Sequence, residues 1–341
     1  MSDLSRRRLL AAGGTALAGS LLLGPRTAHA ATVLKLGSLA PEGSTWHKGL
    51  QKMAAVVAEK SGGSVELKIY AGGVAGNETV MLRKMRIGQL QAGAFTNIGL
   101  LEIDKSSQVV TIPMLVRNYE ELDYVMQKMT PEFEKRIEAA GFHVLAWSEA
   151  GWSRLFTKAP LLDPSEVGKH KFFAWEGDPV AVEMYKAGGF NPVVVASTDV
   201  LPSLQTGLLD AFPGTPLSAL ALQWFALAPN MLDLPWAPLM AGIVVSKAAW
   251  DTIPADLRAT LDTEARRIGS EMRAEVRRQD TKAIEVMTKY GLKVNKPDAA
   301  MTAKWTAKAQ SVYPLARQKM VPSEIYDQVT AHLAEYRKSH P

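Results

Sequence analysis

Side chains that could do chemistry are few in this 341-residue chain, and they are scattered. Beyond residue 30 the histidines are His47, His143, His170, His332 and His340. No two stand at metal-pair spacing, and no His-Glu-x-x-His occurs. There is no Gly-x-Ser-x-Gly elbow for a nucleophilic serine. There are no cysteines, which excludes thiolate metal sites, Cys nucleophiles and disulfides. Gly72-Gly73 and Gly76-Asn77-Glu78 open a helical pattern and could hold an anion on a helix N-terminus. They lack the Lys-Ser/Thr of a P-loop and read as a strand-to-helix turn. Glu120, Glu121 and Asp123 start a helix, where acids complement the helix dipole. The expectation is a protein without catalytic machinery, cofactor or metal. The eight tryptophans say more. Trp147, Trp152, Trp175, Trp224 and Trp236 fall where strands end or domains meet. Core packing accounts for Trp224, as it does for Trp250 and Trp305. Trp152 and Trp175 stand in glycine-containing, loop-like sequence, and large aromatics at strand ends line clefts.

The elements that must position these residues follow a βαβ rhythm. Val33–Gly37 reads as a strand, and Thr45–Glu59 as a helix with Leu50, Met53, Ala54 and Val57 on one face. Val65–Tyr70 alternates apolar and polar, as a half-buried strand does. A helix near 78–87, a strand near 90–95, a helix over 119–140 and a strand over 142–147 follow. The rhythm resumes with strands at 171–174 and 192–195 around a helix at 179–187, then a helix at 200–208. Ala241–Ser246 is a β-branched run that suits a buried strand. Residues 254–290 read as one helix, long enough to bridge two domains. Helices over 301–318 and 323–338 close the chain. The fold class is α/β, with a mixed or parallel sheet and helices on both faces.

The first 30 residues read as an export leader. Ser5-Arg6-Arg7-Arg8-Leu9-Leu10 begins it, an uncharged stretch from Leu9 to Gly24 follows, and Ala28-His29-Ala30 sets cleavage after Ala30. The paired arginines resemble a twin-arginine signal, with an ordinary secretory signal as the alternative. The apolar run is short of the ~20 residues that span a bilayer. The expected product is soluble and periplasmic. The formal charge of +5 is mostly the leader's, from Arg6, Arg7, Arg8 and Arg26 against Asp3. What remains is too nearly neutral for a nucleic-acid binder. Hydrophobic residues at 47% and charged residues at 21% belong to a globular chain, and its length suits two domains.

Several stretches resemble the periplasmic solute-binding subunits of TRAP (tripartite ATP-independent) transporters, the DctP-type family. Leu36-Gly37 with Pro41 and Ser44 is similar to the family's opening strand and loop. Met85–Leu90 resembles its helix, Gly, strand step, and Ile112-Pro113-Met114 its Leu-Pro-aromatic turn. The most specific block is Thr198–Asp210, with Leu204-Gln205-Thr206-Gly207 and Asp210, followed by Pro216-Leu217. It resembles the family's Ala-Leu-Gln-Thr-Gly-x-x-Asp-Gly…Asn-Pro signature. Trp250, Ile253-Pro254 and Leu257 are similar to the entry to a long helix. The resemblance implies a two-domain periplasmic binding-protein fold with an interdomain cleft and a long domain-spanning helix. Domain I would comprise 31–151 and about 240–272, and domain II 152–239 and about 273–341. It implies capture of a small organic solute by hinge closure, delivery to small and large membrane subunits, and no chemistry. Monomer is the default state. A ligand-binding protein of the same fold feeding a periplasmic sensor is the alternative.

The resemblance also implies a carboxylate clamp, and here the chain departs from it. Phe173 stands where the family has an Arg, Arg154 matches a second Arg, and Thr215 replaces an Asn. Phe offers area where Arg offers a bidentate fork. The expected solute is therefore less acidic, larger and more apolar or aromatic than a C4-dicarboxylate. The expected contacts are Arg154 as polar anchor, Phe173 and Trp175 as apolar wall, and Thr215 as hydrogen-bond donor. Trp152 and Phe212 would lie at the rim, and Thr96 and Asn97 at a strand end of the first domain. A structural Arg154, paired with an acid such as Glu149, is the competing expectation.

Overall fold

A computed structural model describes residues 31–340 of the chain; the expected leader, 1–30, lies outside them. The strands are β1 (Thr32–Ser38), β2 (Val65–Tyr70), β3 (Ala92–Thr96), β4 (Phe142–Thr157), β5 (Lys171–Trp175), β6 (Asn191–Val195), β7 (Ala211–Gly214), β8 (Asn230–Ser246) and β9 (Lys293–Asn295). They form one sheet in the order β2-β1-β3-β8-β4-β7-β5-β6, with β9 against β8. β1 pairs parallel with β2 and β3, and β5 pairs parallel with β6 and β7. The antiparallel ladder of β4 and β8 joins these two parallel blocks. Each block is thus one half of the molecule, and the two long strands run through both.

The helices are α1 (Thr45–Lys60), α2 (Glu78–Arg86), α3 (Asn97–Ile103), α4 (Tyr119–Ala139), α5 (Pro179–Ala187), α6 (Val200–Thr206), α7 (Pro216–Ala221), α8 (Lys247–Trp250), α9 (Ala255–Lys289), α10 (Ala299–Ser311), α11 (Tyr313–Leu315) and α12 (Ser323–Ser339). Side-chain caps fix several starts, since an Ncap oxygen satisfies a free helix N–H. Ser44 accepts from His47 N at α1, Asn77 from Val80 N at α2 and Asn118 from Glu121 N at α4. The 35 residues of α9 extend roughly 52 Å at 1.5 Å per residue. Its Leu261, Ala265, Ile268 and Met272 pack with Leu36 and Leu50 of the first half. Its Met287 packs with Phe156 and Phe212 of the second. The helix therefore bridges the halves, as its length predicts. It lies close on the sheet because Gly269 has no side chain: a Cβ there would come within 2.6 Å of the Ala146 Cβ.

The expected domain boundary needs one correction. Residues 273–341 do not all belong to the second half. Trp305 and Ala309 of α10 pack with Phe172 and Trp236, but Ile325, Val329 and Leu333 of α12 return to Leu122 and Val125 in the first. The helix expected over 301–318 is also broken. α10 stops at Ser311; Pro314 follows in the short α11, which runs into a π-helical turn over Ala316–Met320.

Candidate functional site

A cavity of about 720 Å³ lies between the two halves. Such a volume falls in the ~300–1,000 Å³ range of small-molecule sites. The C-terminal ends of the parallel strands supply much of its wall: Ser38 of β1, Thr96 of β3, Gly214 of β7 and Trp175 of β5. This is where open α/β sheets place ligands. The middle of the crossing ladder, from Ala237 to Leu239 with Ala150 and Ser153, forms another side. α1 presents its first turn, α7 contributes Leu217 and Ser218, and α5 and α10 close the far end.

Of the expected site residues, Thr96, Asn97 and Trp175 line this cavity. Thr96 is held by Glu78, which sits at the first position of α2, just after the glycine-rich turn. The Thr96 N–H and hydroxyl donate to the two Glu78 carboxylate oxygens at 2.7 and 2.8 Å, and Gly99 N donates at 2.8 Å. Burial pushes the Glu78 carboxyl above its usual range, against those bonds. Glu78 is a functional candidate that sequence reasoning missed; its one signal was an acid directly after an Asn cap. Asn97 is locked to Gln108, whose Nε2 donates to its backbone oxygen at 2.7 Å. The Asn97 Oδ1 is buried with no partner among the described residues. It is an acceptor at the cavity edge awaiting a donor.

The other five expected contacts lie elsewhere. Phe173 is 0% exposed and belongs to the core of the second half with Phe156, Phe212 and Leu204. Alternation along β5 puts residues 173 and 175 on one face, but only the strand end reaches the cavity. Phe173 backs the wall instead of forming it: its ring lies 5.0 Å from Trp175 and 6.1 Å from Trp224. Phe212 is stacked on Phe156 at 4.8 Å inside the same core. Trp152 is buried edge-on against Tyr119 at 5.2 Å, on the face of β4 turned away from the cavity. Arg154 shares that face. Its guanidinium is 3.7 Å from Asp233 and bonds the backbone oxygens of Trp152 and Ser153. Burial holds its pKa below the usual value. Arg154 is thus paired inside the protein, with Asp233 and not Glu149, and its Nε is buried with no hydrogen-bond partner among the described residues. Glu149 pairs with Arg277 of α9 at 2.5 Å. Thr215 is fully buried and caps α7, accepting from Ser218 N at 3.2 Å. The Pro216 that follows it, at the first helical position, was the sequence signal for that role.

Residues from distant segments complete the cavity. Trp224 and Trp236 line it, together with Tyr185, Phe190 and Trp46. The Trp46 indole is fixed by its bond to Glu149 O at 3.0 Å. Trp236 packs edge-on to Trp305 at 5.7 Å. Among the described residues no arginine lines the cavity; its cationic side chains are Lys48 and Lys308. Its acids are Glu78 and Asp178, both committed to backbone N–H groups, Asp178 through Ala181 N at 2.9 Å. The arrangement can enclose and orient a small molecule.

At the back of the crossing ladder, Asp280 of α9 ties three elements together. Its carboxylate accepts from Leu217 N at 2.9 Å and Trp152 N at 3.3 Å. Burial pushes it up to about 6. Gly151, at φ +113°, makes room for it, since a Cβ there would stand 2.8 Å from Asp280 Cγ.

The model of the bacterial extracellular solute-binding proteins, family 7 (DctP), matches residues 36–319. The chain belongs to this family. Its members are the TRAP solute-binding proteins, transport proteins of the periplasm and not enzymes. Among the described residues, no helix is long and apolar enough to cross a membrane. The chain is similar to the C4-dicarboxylate-binding periplasmic protein DctP of Rhodobacter capsulatus, 24% identical over 290 residues, covering 84% of this chain and 86% of that one. It shares its fold with a TRAP periplasmic solute-binding protein from Ralstonia eutropha with bound (S)-2-acetolactate. That match has a TM-score of 0.83 and 20% identity, over 89% of this chain and 99% of the other. A TRAP protein from Desulfovibrio salexigens with bound orotic acid matches at a TM-score of 0.81 and 18% identity, over 89% and 99%.

Proposed function

We propose that this protein captures a small organic solute in the cavity between its halves and hands it to the small and large membrane subunits of a TRAP transporter. The solute is less acidic, larger and more apolar or aromatic than a C4-dicarboxylate. One observation carries this reading: the cavity has walls of Trp175, Trp224, Trp236, Tyr185 and Phe190, and no arginine among the described residues. Phe173 does not support it directly, because its ring stands behind the wall. The lining supports it independently. A dicarboxylate needs two charge-assisted clamps, each worth about 1.5–3 kcal/mol. Two lysines at separate elements, one of them on the exposed first turn of α1, match that demand poorly. Aromatic faces instead reward a flat or apolar body. The unpartnered Asn97 oxygen suits a hydroxyl or amide on the same solute. The relatives named above carry acids, acetolactate and orotic acid among them. The DctP relative is named for C4-dicarboxylates, but a solute with a single acid group suits this lining better.

A thermal-shift screen of the purified mature protein tests the reading. A ligand at about 100 times its dissociation constant adds roughly 2.7 kcal/mol. Aromatic and longer-chain monoacids and neutral compounds should shift the protein more than malate or succinate. A shift with the dicarboxylates alone refutes the solute class.

A further inference from the structure

The far end of the cavity carries an ammonium that makes no salt bridge among the described residues, the Asp163 carboxylate acting on it only through its field. Lys308 of α10 reaches this end beside Tyr185 and Gly188 of the α5 end, with Phe190 and Trp236 adjacent. Its Nζ donates to Gly188 O at 2.8 Å. An ammonium has three donors; the other two have no partner among the described residues, and none of their carboxylates lies within salt-bridge distance. Helix capping does not explain the lysine. The end of α5 is already closed by backbone bonds, from Gly188 N to Met184 O at 2.9 Å, Gly189 N to Lys186 O at 3.0 Å and Phe190 N to Tyr185 O at 2.9 Å. The Tyr185 hydroxyl, also on the cavity, has no partner among the described residues either. This end of the cavity therefore offers donors, and the acceptor it offers Lys308 is already engaged. Asp178 caps the opposite end of α5, roughly 15 Å away at 1.5 Å per residue, and Glu183 within α5 is paired with Lys319 at 2.5 Å. Lys48, the other cation, stands on the exposed first turn of α1, where water screens it. Burial holds the Lys308 ammonium below its usual pKa, against the field of the Asp163 carboxylate, and a bound anion would favour its charged form.

We propose that Lys308, assisted by the Tyr185 hydroxyl, anchors the single anionic group of the solute, so that the transported molecule is a monoanion with an apolar body lying across Trp236. This rests on the apolar-solute reading above and names its charged end. It also sets the solute's direction, with its acid between α5 and α10 and its other polar group toward Asn97.

The test is isothermal titration with matched pairs that differ only in charge: benzoate, phenylacetate, 3-phenylpropanoate, indole-3-acetate and hexanoate, each against its primary amide. On the wild type, the best-fitting acid should bind at least about 10-fold tighter than its amide, the worth of one charge-assisted bond. Lys308→Met should lower that acid's affinity about 10- to 100-fold, to the level of the amide, and leave the amide within about 2-fold. Lys308→Arg should retain most of the acid's affinity, and both variants should melt with the wild type in the absence of ligand. Equal binding of acid and amide, or undiminished acid binding by Lys308→Met, overturns the Lys308 assignment while the apolar solute stands. Silence of every pair while succinate binds overturns the apolar reading, and with it the anchor. Silence of pairs and dicarboxylates alike overturns both.

Discussion

Phe173 and Trp175 share a face of β5 and nearly touch, yet the structure gives them opposite jobs. Phe173→Ala removes a ring that is 0% exposed, packed against Trp175 at 5.0 Å and Trp224 at 6.1 Å. Phe-to-Ala changes in packed cores cost about 3–5 kcal/mol, of which each lost aromatic pair accounts for about 0.5–1.5 kcal/mol. In a chain of this size, that lowers the melting midpoint by on the order of 10 °C. Trp175→Ala empties part of the cavity wall instead. It should cost about 1–3 kcal/mol of solute binding, or roughly 5- to 150-fold in affinity, and much less stability, because Trp175 is already partly exposed. The assay is paired: urea unfolding without ligand, and titration with the best ligand of the screen well below each variant's melting point. Phe173→Arg sharpens the contrast. It places a guanidinium among Phe156, Phe212 and Leu204 and should fail to fold stably. A Phe173→Ala protein as stable as the wild type but unable to bind would refute the reasoning and return Phe173 to the wall.

The crossing ladder gives three further predictions. Asp280, pushed up to about 6 from an ordinary 3.8, holds its proton more tightly in the fold than in the unfolded chain. Its contribution to stability is fullest below the unfolded value and is lost as pH rises through about 6, at 1.36 kcal/mol per unit or about 3 kcal/mol in all. The stability of the wild type relative to Asp280→Asn should therefore grow by about 2–3 kcal/mol between pH 7.5 and pH 4 in urea titrations; no change would remove burial as the cause. Gly151→Ala should cost at least about 2 kcal/mol by the same measurement, because φ +113° strains any side chain and the new Cβ meets Asp280. Arg277→Ala leaves Glu149, 1% exposed, without its bidentate partner and should cost about 3–5 kcal/mol, with Glu149→Gln milder. In the first half, Asn97→Leu, which removes the unpartnered Oδ1, should leave the fold intact and lower solute affinity; unchanged affinity by calorimetry would show that this oxygen takes no donor from the solute.

Local signals carried most of the fold. Helix starts with Ser44, Asn77 and Asn118 caps were legible, as were β2, the amphipathic α1 and the length of α9. The extent of β4 and β8 was not. Residues 148–157 carry Gly151 and a register shift on each side of it, and 230–240 contain Pro235 and Pro238. Prolines and irregular pairing erase the alternation by which a strand is read. Here they sit at the crossing, where β8 leaves β4 unpaired between Leu232 and Ala237. In the site, Thr96, Asn97 and Trp175 were legible because they end strands that point at the cleft. Position 173 misled because a Phe where the resemblance implies an Arg says what chemistry is missing, not where the ring goes; the core took it. Arg154 misled because a bulge at Gly151 decides which face of β4 each later residue presents. Tyr185, Lys308 and the site role of Trp224 come from elements remote in sequence, and only the tertiary arrangement brings them together.

The most direct test is the identity of the solute itself. Protein purified from its native periplasm should be denatured and the released small molecules read by mass spectrometry. The account predicts a stoichiometric monoanion with an aromatic or extended apolar body, returned chemically unchanged. Stoichiometric release of a C4-dicarboxylate would contradict it.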